Sequence, residues 1–252
     1  MPNYIKLGNL RIEIPEPANN GGGGGGGGSS SLLTGLLAFY NLSDLTDASG
    51  NGNTLTNNGI SFSAGKIGNA ANGGSGSQYL TAANLTLGNL SALTVTFWTN
   101  HQDKTGGDLL DEIFGAWYGG SNPFLLAFGG FGQYQAIGVN TLGVGLKTSS
   151  GMKFHWDTTP RTTNAWRFVA AKFVADDAVS IKTNNEAWLS SSVSGGPLSP
   201  QIQPVRILDG GDNQGLRSPS QLDALGIWNR ALTDAEVTEL YNAGAGKEHP
   251  FA

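Results

Sequence analysis

Eight consecutive glycines, Gly21 to Gly28, followed by Ser29, Ser30 and Ser31, divide the chain into a short head and a long body. No residue of that run has a side chain able to join a core, and ordering it would cost a large backbone entropy. It reads as a flexible tether. Fully extended, residues 21–31 would reach about 36–40 Å at ~3.3–3.6 Å each. An artificial linker would look the same, but the head resembles no purification tag, which favours a native tether. The expected organisation is a 1–20 extended anchoring arm, a 21–31 linker, a 32–246 folded domain and a 247–252 tail.

The arm carries one pattern. Leu10, Ile12 and Ile14 alternate with Arg11 and Glu13, which is the period of a strand, and Pro15 and Pro17 end it. One strand cannot bury its apolar face alone. It needs the edge of its own domain's sheet or that of another protein, by strand addition. The long glycine leash favours another protein, held through residues 4–17. Residues 1–7 carry no long apolar run and do not read as a Sec signal peptide. No stretch approaches the roughly 18 apolar residues of a membrane span. The expectation is a soluble chain without membrane insertion, cytoplasmic or else exported or assembled by another route.

The body has a uniform texture. Runs such as Leu36-Leu37-Ala38-Phe39-Tyr40, Leu93-Thr94-Val95-Thr96-Phe97-Trp98, Trp166 to Phe173 and Ala224-Leu225-Gly226-Ile227-Trp228 are strand-length and rich in β-branched or aromatic residues. Gly, Asn, Ser and Asp clusters bound them. About twelve to fourteen such runs, with no strand–helix alternation, predict a β-sandwich or barrel. Hydrophobic residues are 38% of the chain, enough for a core once the glycine run is set aside. One helix is legible, at the end. Thr233-Asp234-Ala235-Glu236 is a capping box, Leu232 and Val237 form a hydrophobic staple, and Val237, Leu240 and Tyr241 share a face. Gly244 or Gly246 is expected to stop it.

Charge and cysteine narrow the function. The balance is 14 basic to 19 acidic residues, net -5, without the basic footprint of a nucleic-acid binder. No block of like charge suggests an anionic-membrane patch. Cysteine is absent, so disulfides, thiolate nucleophiles and Cys-ligated zinc are excluded.

Three stretches carry a family likeness. They are Leu36 to Tyr40 with Asp47-Ala48-Ser49-Gly50-Asn51-Gly52-Asn53; Ala64 to Ala70 running on to Gln78-Tyr79-Leu80 and Leu93 to Trp98; and Leu222 to Thr233 continuing to Leu240-Tyr241-Asn242. Together they resemble the laminin-G-like jelly-roll branch of the concanavalin A-like lectin/glucanase superfamily, over about 85% of the chain. The resemblance implies an all-β, two-sheet antiparallel jelly-roll β-sandwich with one short C-terminal helix. It implies adhesion or carbohydrate binding more often than catalysis. Two departures bear on the ligand face: Ile181 to Trp188 has no glycine where the family commonly has Val-Asn-Gly, and 114–135 is unusually rich in glycine and aromatics.

Catalysis finds little support. The superfamily's glucanases use Glu-x-Asp-x-x-Glu on one strand, which sets two carboxylates on one face. Of seven glutamates here, only Glu112 and Glu186 fall within the sandwich, and they are far apart. Asp108-Leu109-Leu110-Asp111-Glu112 does not match that motif. No glycine-serine nucleophile elbow accompanies His101, His155 or His249. The chain is therefore not expected to be an enzyme.

Two kinds of binding site remain. Asp47 to Gly52 has oxygen side chains at alternate positions and a glycine sixth, like the first half of a calcium loop, although Asn58 stands where an EF-hand has its glutamate. The same residues also suit an Asx-rich turn held by its own hydrogen bonds. The family resemblance implies a structural Ca2+ between an early loop and a late aspartate, with Asp47, Asn51 and Asp223 as ligands. For sugars, Phe114 to Asn122 and His155-Trp156-Asp157 combine aromatic faces with polar groups. Trp117, Tyr118, Asn122, Trp156 and Asp157 are the candidate contacts, and core packing is the competing fate of the rings.

Three function classes follow. One is a structural or adhesive virion protein of a bacteriophage, anchored by its arm and displaying a lectin-like domain to a cell-surface glycan. The second is a free exported carbohydrate-binding lectin. The third, a glycoside hydrolase, is disfavoured by the carboxylates. The expected location is a virion surface or the extracellular space.

Overall fold

The computed structural model describes residues 4–7, 10–13, 31–73, 78–102, 111–116, 124–128, 141–157, 159–209 and 220–251. In the head, β1 (Tyr4–Leu7) pairs antiparallel with β2 (Leu10–Glu13), with Leu7 opposite Leu10. The sequence pattern predicts only the second strand, in search of a partner. Here β1 is its partner, and the pair forms a sheet separate from those of the domain. The described part of the domain opens with a 3-10 turn, Ser31–Leu33, whose Leu32 is fully buried. Ser31, counted with the linker above, lies in that turn.

The domain continues with β3 (Leu36–Tyr40), β4 (Thr56–Asn58), β5 (Ser61–Ala64), β6 (Asn69–Asn72), β7 (Tyr79–Ala82) and β8 (Ala92–His101). Next come β9 (Asp111–Ala116), β10 (Phe124–Phe128), β11 (Leu142–Thr148), β12 (Gly151–Trp156), β13 (Trp166–Val174) and β14 (Ala178–Thr183). The last elements are β15 (Leu189–Ser192), β16 (Val205–Ile207), β17 (Ser220–Trp228) and helix α1 (Asp234–Tyr241). One sheet has the order β12-β11-β10-β9-β16-β7-β4; the other has β15-β14-β13-β8-β17-β6-β5, with β3 also paired to β17. All pairings are antiparallel among the described residues. This is the expected all-β, two-sheet antiparallel sandwich with one short C-terminal helix.

Two apolar clusters explain the burial. Between the sheets, Val95 and Phe97 of β8 share a core with Leu142, Val144 and Leu146 of β11 and Ile207 of β16. A second cluster joins Trp98, Phe168, Ala170 and Trp228 to Leu32, Leu36, Phe39 and the helix residues Val237 and Leu240. The second sheet is thus covered on both faces, which is why β8 is buried along nearly its whole length instead of alternating. Each large apolar side chain so buried contributes roughly 1.5–3 kcal/mol.

The helix starts as its sequence predicts. Thr233 Oγ1 accepts from the Glu236 amide, and Glu236 Oε2 accepts from the Thr233 amide at 2.8 Å. Its end differs from expectation. Asn242, not a glycine, takes the left-handed position at φ 47°, and Gly244 and Gly246 follow with φ 90° and 83°. A short polar side chain tolerates that conformation, so the turn needs no glycine there.

Candidate functional site

The outward face of the seven-stranded sheet combines glycine with half-buried aromatics. Pairing sets Phe154, Gly145, Leu125, Gly115, Arg206 and Thr81 opposite one another across β12, β11, β10, β9, β16 and β7. Side chains alternate along each strand, so Val144 and Leu146 point to the core while Gly143 and Gly145 leave bare backbone outside. A Cβ at Gly143 would lie 1.5 Å from Trp156 Cε3, so the indole rests on the backbone of β11. Phe154 stacks beside Trp156, with ring centroids 6.1 Å apart and planes at 8°. Farther along the face, the Arg206 guanidinium lies 4.2 Å over the Tyr79 ring and pairs with Asp209 at 2.9 Å. The aromatic shelf on its glycine floor can stack on the C–H face of a sugar; Arg206 stands four strands away, about 19 Å at ~4.8 Å per strand, and belongs to a different part of the face.

The other sugar-contact residues fare differently. Trp117, Tyr118 and Asn122 lie outside the described residues. Asp157, next to Trp156, is only 1% exposed. Its Oδ1 accepts from the Thr159 amide at 2.9 Å, and its Oδ2 holds the Arg161 guanidinium. Arg161 also binds Glu186 at 2.6 Å, whose carboxylate accepts from Thr183 Oγ1 at 2.7 Å. Asp157 is therefore a structural anion committed to Arg161, and a sugar hydroxyl would have to compete for it. His155 turns inward, with Nδ1 2.6 Å from Ser191 Oγ, and burial pushes its pKa down. Arg206 and Tyr79 were missed in the sequence because they are distant along the chain and become neighbours only through pairing of β16 with β7.

The three calcium candidates occupy two different places: Asp47 and Asn51 share the turn after β3, and Asp223 lies on β17. Asp47 is buried, and its Oδ1 accepts from the Phe39 amide, the Ser49 amide and Ser49 Oγ at 3.1, 3.1 and 2.6 Å. Its Oδ2 accepts from the Asn53 amide at 2.9 Å. Asn51 donates through Nδ2 to the carbonyls of Leu36 and Leu37 at 2.8 and 3.2 Å. This is the Asx-turn alternative: Asp47 and Asn51 spend their polar atoms pinning the turn to β3. Asp223 lies against the 65–68 turn, with Oδ2 accepting from the Ile67 amide at 2.8 Å and Oδ1 without a donor. Burial pushes its pKa up to about 7, the Ile67 amide opposes the rise and the charge of Glu248 adds to it. Among the described residues no group of three or more His, Asp or Glu side chains gathers as a metal centre.

Residues 72–238, about two thirds of the chain, match the sequence model described as the Concanavalin A-like lectin/glucanases superfamily. No curated protein matches the sequence. Among solved structures, the fold is similar to the binding domain of Paraclostridial Mosquitocidal Protein 1, with a TM-score of 0.66 and 17% identity, over 84% of this chain and 53% of that one. It is similar to the botulinum neurotoxin serotype G binding domain, with a TM-score of 0.64 and 14% identity, over 83% of this chain and 51% of that one. It is also similar to domain 4 of AbnA, a GH43 extracellular arabinanase from Geobacillus stearothermophilus, in complex with arabinotriose. There the TM-score is 0.61 and the identity 20%, over 84% of this chain and 98% of that one. The chain thus spans about half the length of the two toxin binding domains and nearly all of the arabinanase domain. At these identities the likeness establishes the fold alone.

Proposed function

The chain belongs to the concanavalin A-like lectin/glucanases superfamily, and on that premise we propose that it is a non-enzymatic adhesive module. Its lectin-like domain makes weak, multivalent contact with cell-surface glycans. Its head, residues 4–17, anchors it to another protein of a larger assembly, a bacteriophage virion, and the glycine run lets the domain reach outward from the surface. The observation that carries the glycan reading is the Trp156–Phe154 shelf beside Gly143 and Gly145. Domain 4 of the arabinanase, which has the same fold in a complex with arabinotriose, supports it. Against catalysis stand the commitments of the carboxylates: Asp157 and Glu186 hold Arg161, and Asp223 is fully buried. The β1–β2 pair, separate from the domain's sheets, suits an anchor because among the described residues neither strand has a second neighbour, which leaves an edge to extend a partner's sheet.

A single shelf of this kind gives millimolar affinity, about 4 kcal/mol. Many copies on one particle raise avidity on the order of 10²-fold or more, because each later contact is intramolecular. The test is a glycan array probed with the isolated domain and with the domain displayed in many copies. Retention only of the multivalent form, released by free glycan, supports the reading. An array blank for both forms refutes it.

A further inference from the structure

The outer face of β13, β14 and β15 carries a polar group of its own. Lys182 stands opposite Ala170 of the outer cluster, so it points to that face, and Lys172, two residues on from Ala170, does the same. Ser180 stands opposite Lys172, and Ser190 of β15 stands opposite Ser180. Extending the β14–β15 register by one residue beyond the Leu189–Ile181 pair sets Trp188 opposite Lys182. Two rows result, Lys172-Ser180-Ser190 and Ala170-Lys182-Trp188. Toward β8 the face is closed by the chain ahead of the helix. There Thr94, opposite Lys172, donates to the Arg230 carbonyl at 2.7 Å and accepts from the Leu232 amide at 3.0 Å. Toward the β15 edge the face is open, and Ser190 is exposed.

Both lysines lean on one indole. The ammonium of Lys172 lies 4.3 Å from the centroid of the Trp188 ring, and that of Lys182 lies 5.8 Å from it. The ring's negative face attracts a cation, but it has no net charge to neutralise two. Among the described residues neither lysine forms an ion pair or a hydrogen bond, whereas Arg161, Arg206, Arg230 and Lys247 each hold a carboxylate. Lys182 is only 8% exposed; its stem is packed, while the ammonium still reaches solvent. Charges so deeply set are ordinarily paired. The Asp234 carboxylate accepts from Trp188 Nε1 at 2.6 Å and makes no ion pair with either lysine. Ser180 Oγ and Ser190 Oγ lie 2.8 Å apart, so one hydroxyl donates to the other and one O–H is left over. In a chain of net charge -5, this is a local concentration of unspent positive charge beside a spare donor.

We propose that Lys172 and Lys182, with the spare hydroxyl of the Ser180–Ser190 pair, bind the anionic group of an acidic glycan, a carboxylate or a sulfate. The sugar rests on the adhesive reading above; the negative charge follows from the lysines alone. An ammonium is a compact point charge without the fixed fork of a guanidinium, so it takes the oxygens of either group. The position suits a ligand that also meets the Trp156 shelf. That shelf lies on the outward face of the other sheet, and the two surfaces border the same edge of the sandwich, where His155 Nδ1 of β12 lies 2.6 Å from Ser191 Oγ of β15. The neutral and the charged parts of one glycan thus each have a receiving surface beside that edge.

The test displays the full chain in many copies and measures retention on a sulfated heparin oligosaccharide, on sialyllactose and on neutral lactose. At least one acidic probe is expected to be retained at least tenfold better than lactose, with retention falling as salt is raised; the arm that responds tells sulfate from carboxylate. Lys172→Gln with Lys182→Gln is expected to reduce that retention at least tenfold and to leave binding of neutral glycans in place. Lys247→Gln, which removes the same kind of charge from a pair with Glu239, is expected to keep it. The site is overturned if no acidic probe is preferred to lactose, if the double variant retains acidic probes as the unaltered chain does, or if Lys247→Gln loses as much. Neutral glycans held without acidic preference refute this site and leave the adhesive reading standing, whereas a blank for every glycan refutes both. A polyglutamate peptide held as well as the saccharides, and lost in the same double variant, overturns the sugar and points to an acidic protein partner. Should Lys182→Gln fail to fold because its stem is packed, Lys172→Gln alone decides, with a loss of at least threefold expected.

Discussion

Arg230 holds Glu236 by both carboxylate oxygens, Nη1 to Oε2 at 2.9 Å and Nη2 to Oε1 at 2.6 Å. The same guanidinium donates to the carbonyls of Thr34 at 2.6 Å and Ser31 at 2.8 Å. Glu236 is the capping-box residue of α1, so one side chain ties the start of the helix to the first turn of the domain. That turn is also pinned by Trp228 Nε1, which donates to the Leu32 carbonyl at 2.7 Å.

This arrangement sets an acid limit on stability. Arg230 pulls the Glu236 pKa down from 4.5 to about 2, against the effect of burial. A carboxyl whose pKa is depressed in the folded state stabilises fully above its unfolded pKa. That stabilisation is lost as pH falls from about 4.5 through about 2. Glu236→Gln should therefore cost on the order of 2 kcal/mol at neutral pH, or roughly 4–8 °C of Tm for a domain this size. The gap between variant and parent should close as thermal melts are taken from pH 5 down to pH 2. A gap independent of pH would mean that the lost cap, not the charge, carries the effect.

Truncation locates the boundary between anchor and domain. Removing residues 1–30 takes only the hairpin and the tether, so Tm of the domain should hold to within about 1 °C, while incorporation into the assembly is abolished. Removing residues 1–32 also takes Leu32, which is fully buried against the outer cluster. Loss of such a side chain costs about 2–5 kcal/mol, or roughly 4–20 °C of Tm. Calorimetry of the two truncations distinguishes these steps. A large loss from the first would mean that the hairpin belongs to the domain.

What the sequence made legible was local. The Thr233–Glu236 box lies within four residues and depends on nothing distant, so its pattern sufficed. The strands of β8 and β13 declared themselves by composition, although burial on both faces hid any alternation. Where the chain lacks glycine after β14, Asn184 supplies the turn at φ 49° and binds the Phe168 amide through Oδ1 at 3.0 Å. Asn242 does the same after the helix, and neither is marked beforehand among so many asparagines. The clasp of Arg230 on Ser31 joins residues 199 apart and follows only from the register of β3 with β17. Asp223 stood out in the sequence, but the hydrogen bond it accepts from the Ile67 amide, 156 residues away, follows only from the way the 65–68 turn is laid against β17.

The Asp47 turn yields a prediction that separates structure from metal. Its carboxylate accepts four hydrogen bonds, three of them from backbone amides. Hydrogen bonds to a charged group contribute about 1.5–3 kcal/mol each, and they do not add when they share one acceptor group. Asp47→Ala should cost on the order of 3 kcal/mol, seen as a lower denaturation midpoint at unchanged slope. Asn51→Ala should cost less, since the Leu37 carbonyl keeps the Asn53 Nδ2 donor at 2.8 Å and only the Leu36 carbonyl loses its side-chain partner. If calcium restores the stability of Asp47→Ala to that of the parent, the turn is a metal loop after all and its hydrogen bonds are secondary.

The glycan shelf is best tested through the residue beneath the ring. Gly143 keeps an ordinary strand conformation, so a larger residue meets no backbone strain there; the three atoms nearest a new Cβ all belong to Trp156, with Cε3 and Cζ3 at 1.5 and 1.8 Å. Trp156 is half-buried and its Nε1 makes no hydrogen bond, so few contacts oppose its displacement. Gly143→Ala should therefore swing the indole off β11 while the core residues Leu142 and Val144 stay in place. The near-ultraviolet circular dichroism of the tryptophans should change, Tm should fall by no more than roughly 5 °C, and glycan retention by the multivalent form should drop at least tenfold. Trp156→Ala should lose the same binding by removing the ring outright. Retention unchanged in both variants would place the glycan contact elsewhere on the domain. Collapse of the fold in both would show that the ring is part of the core and serves packing.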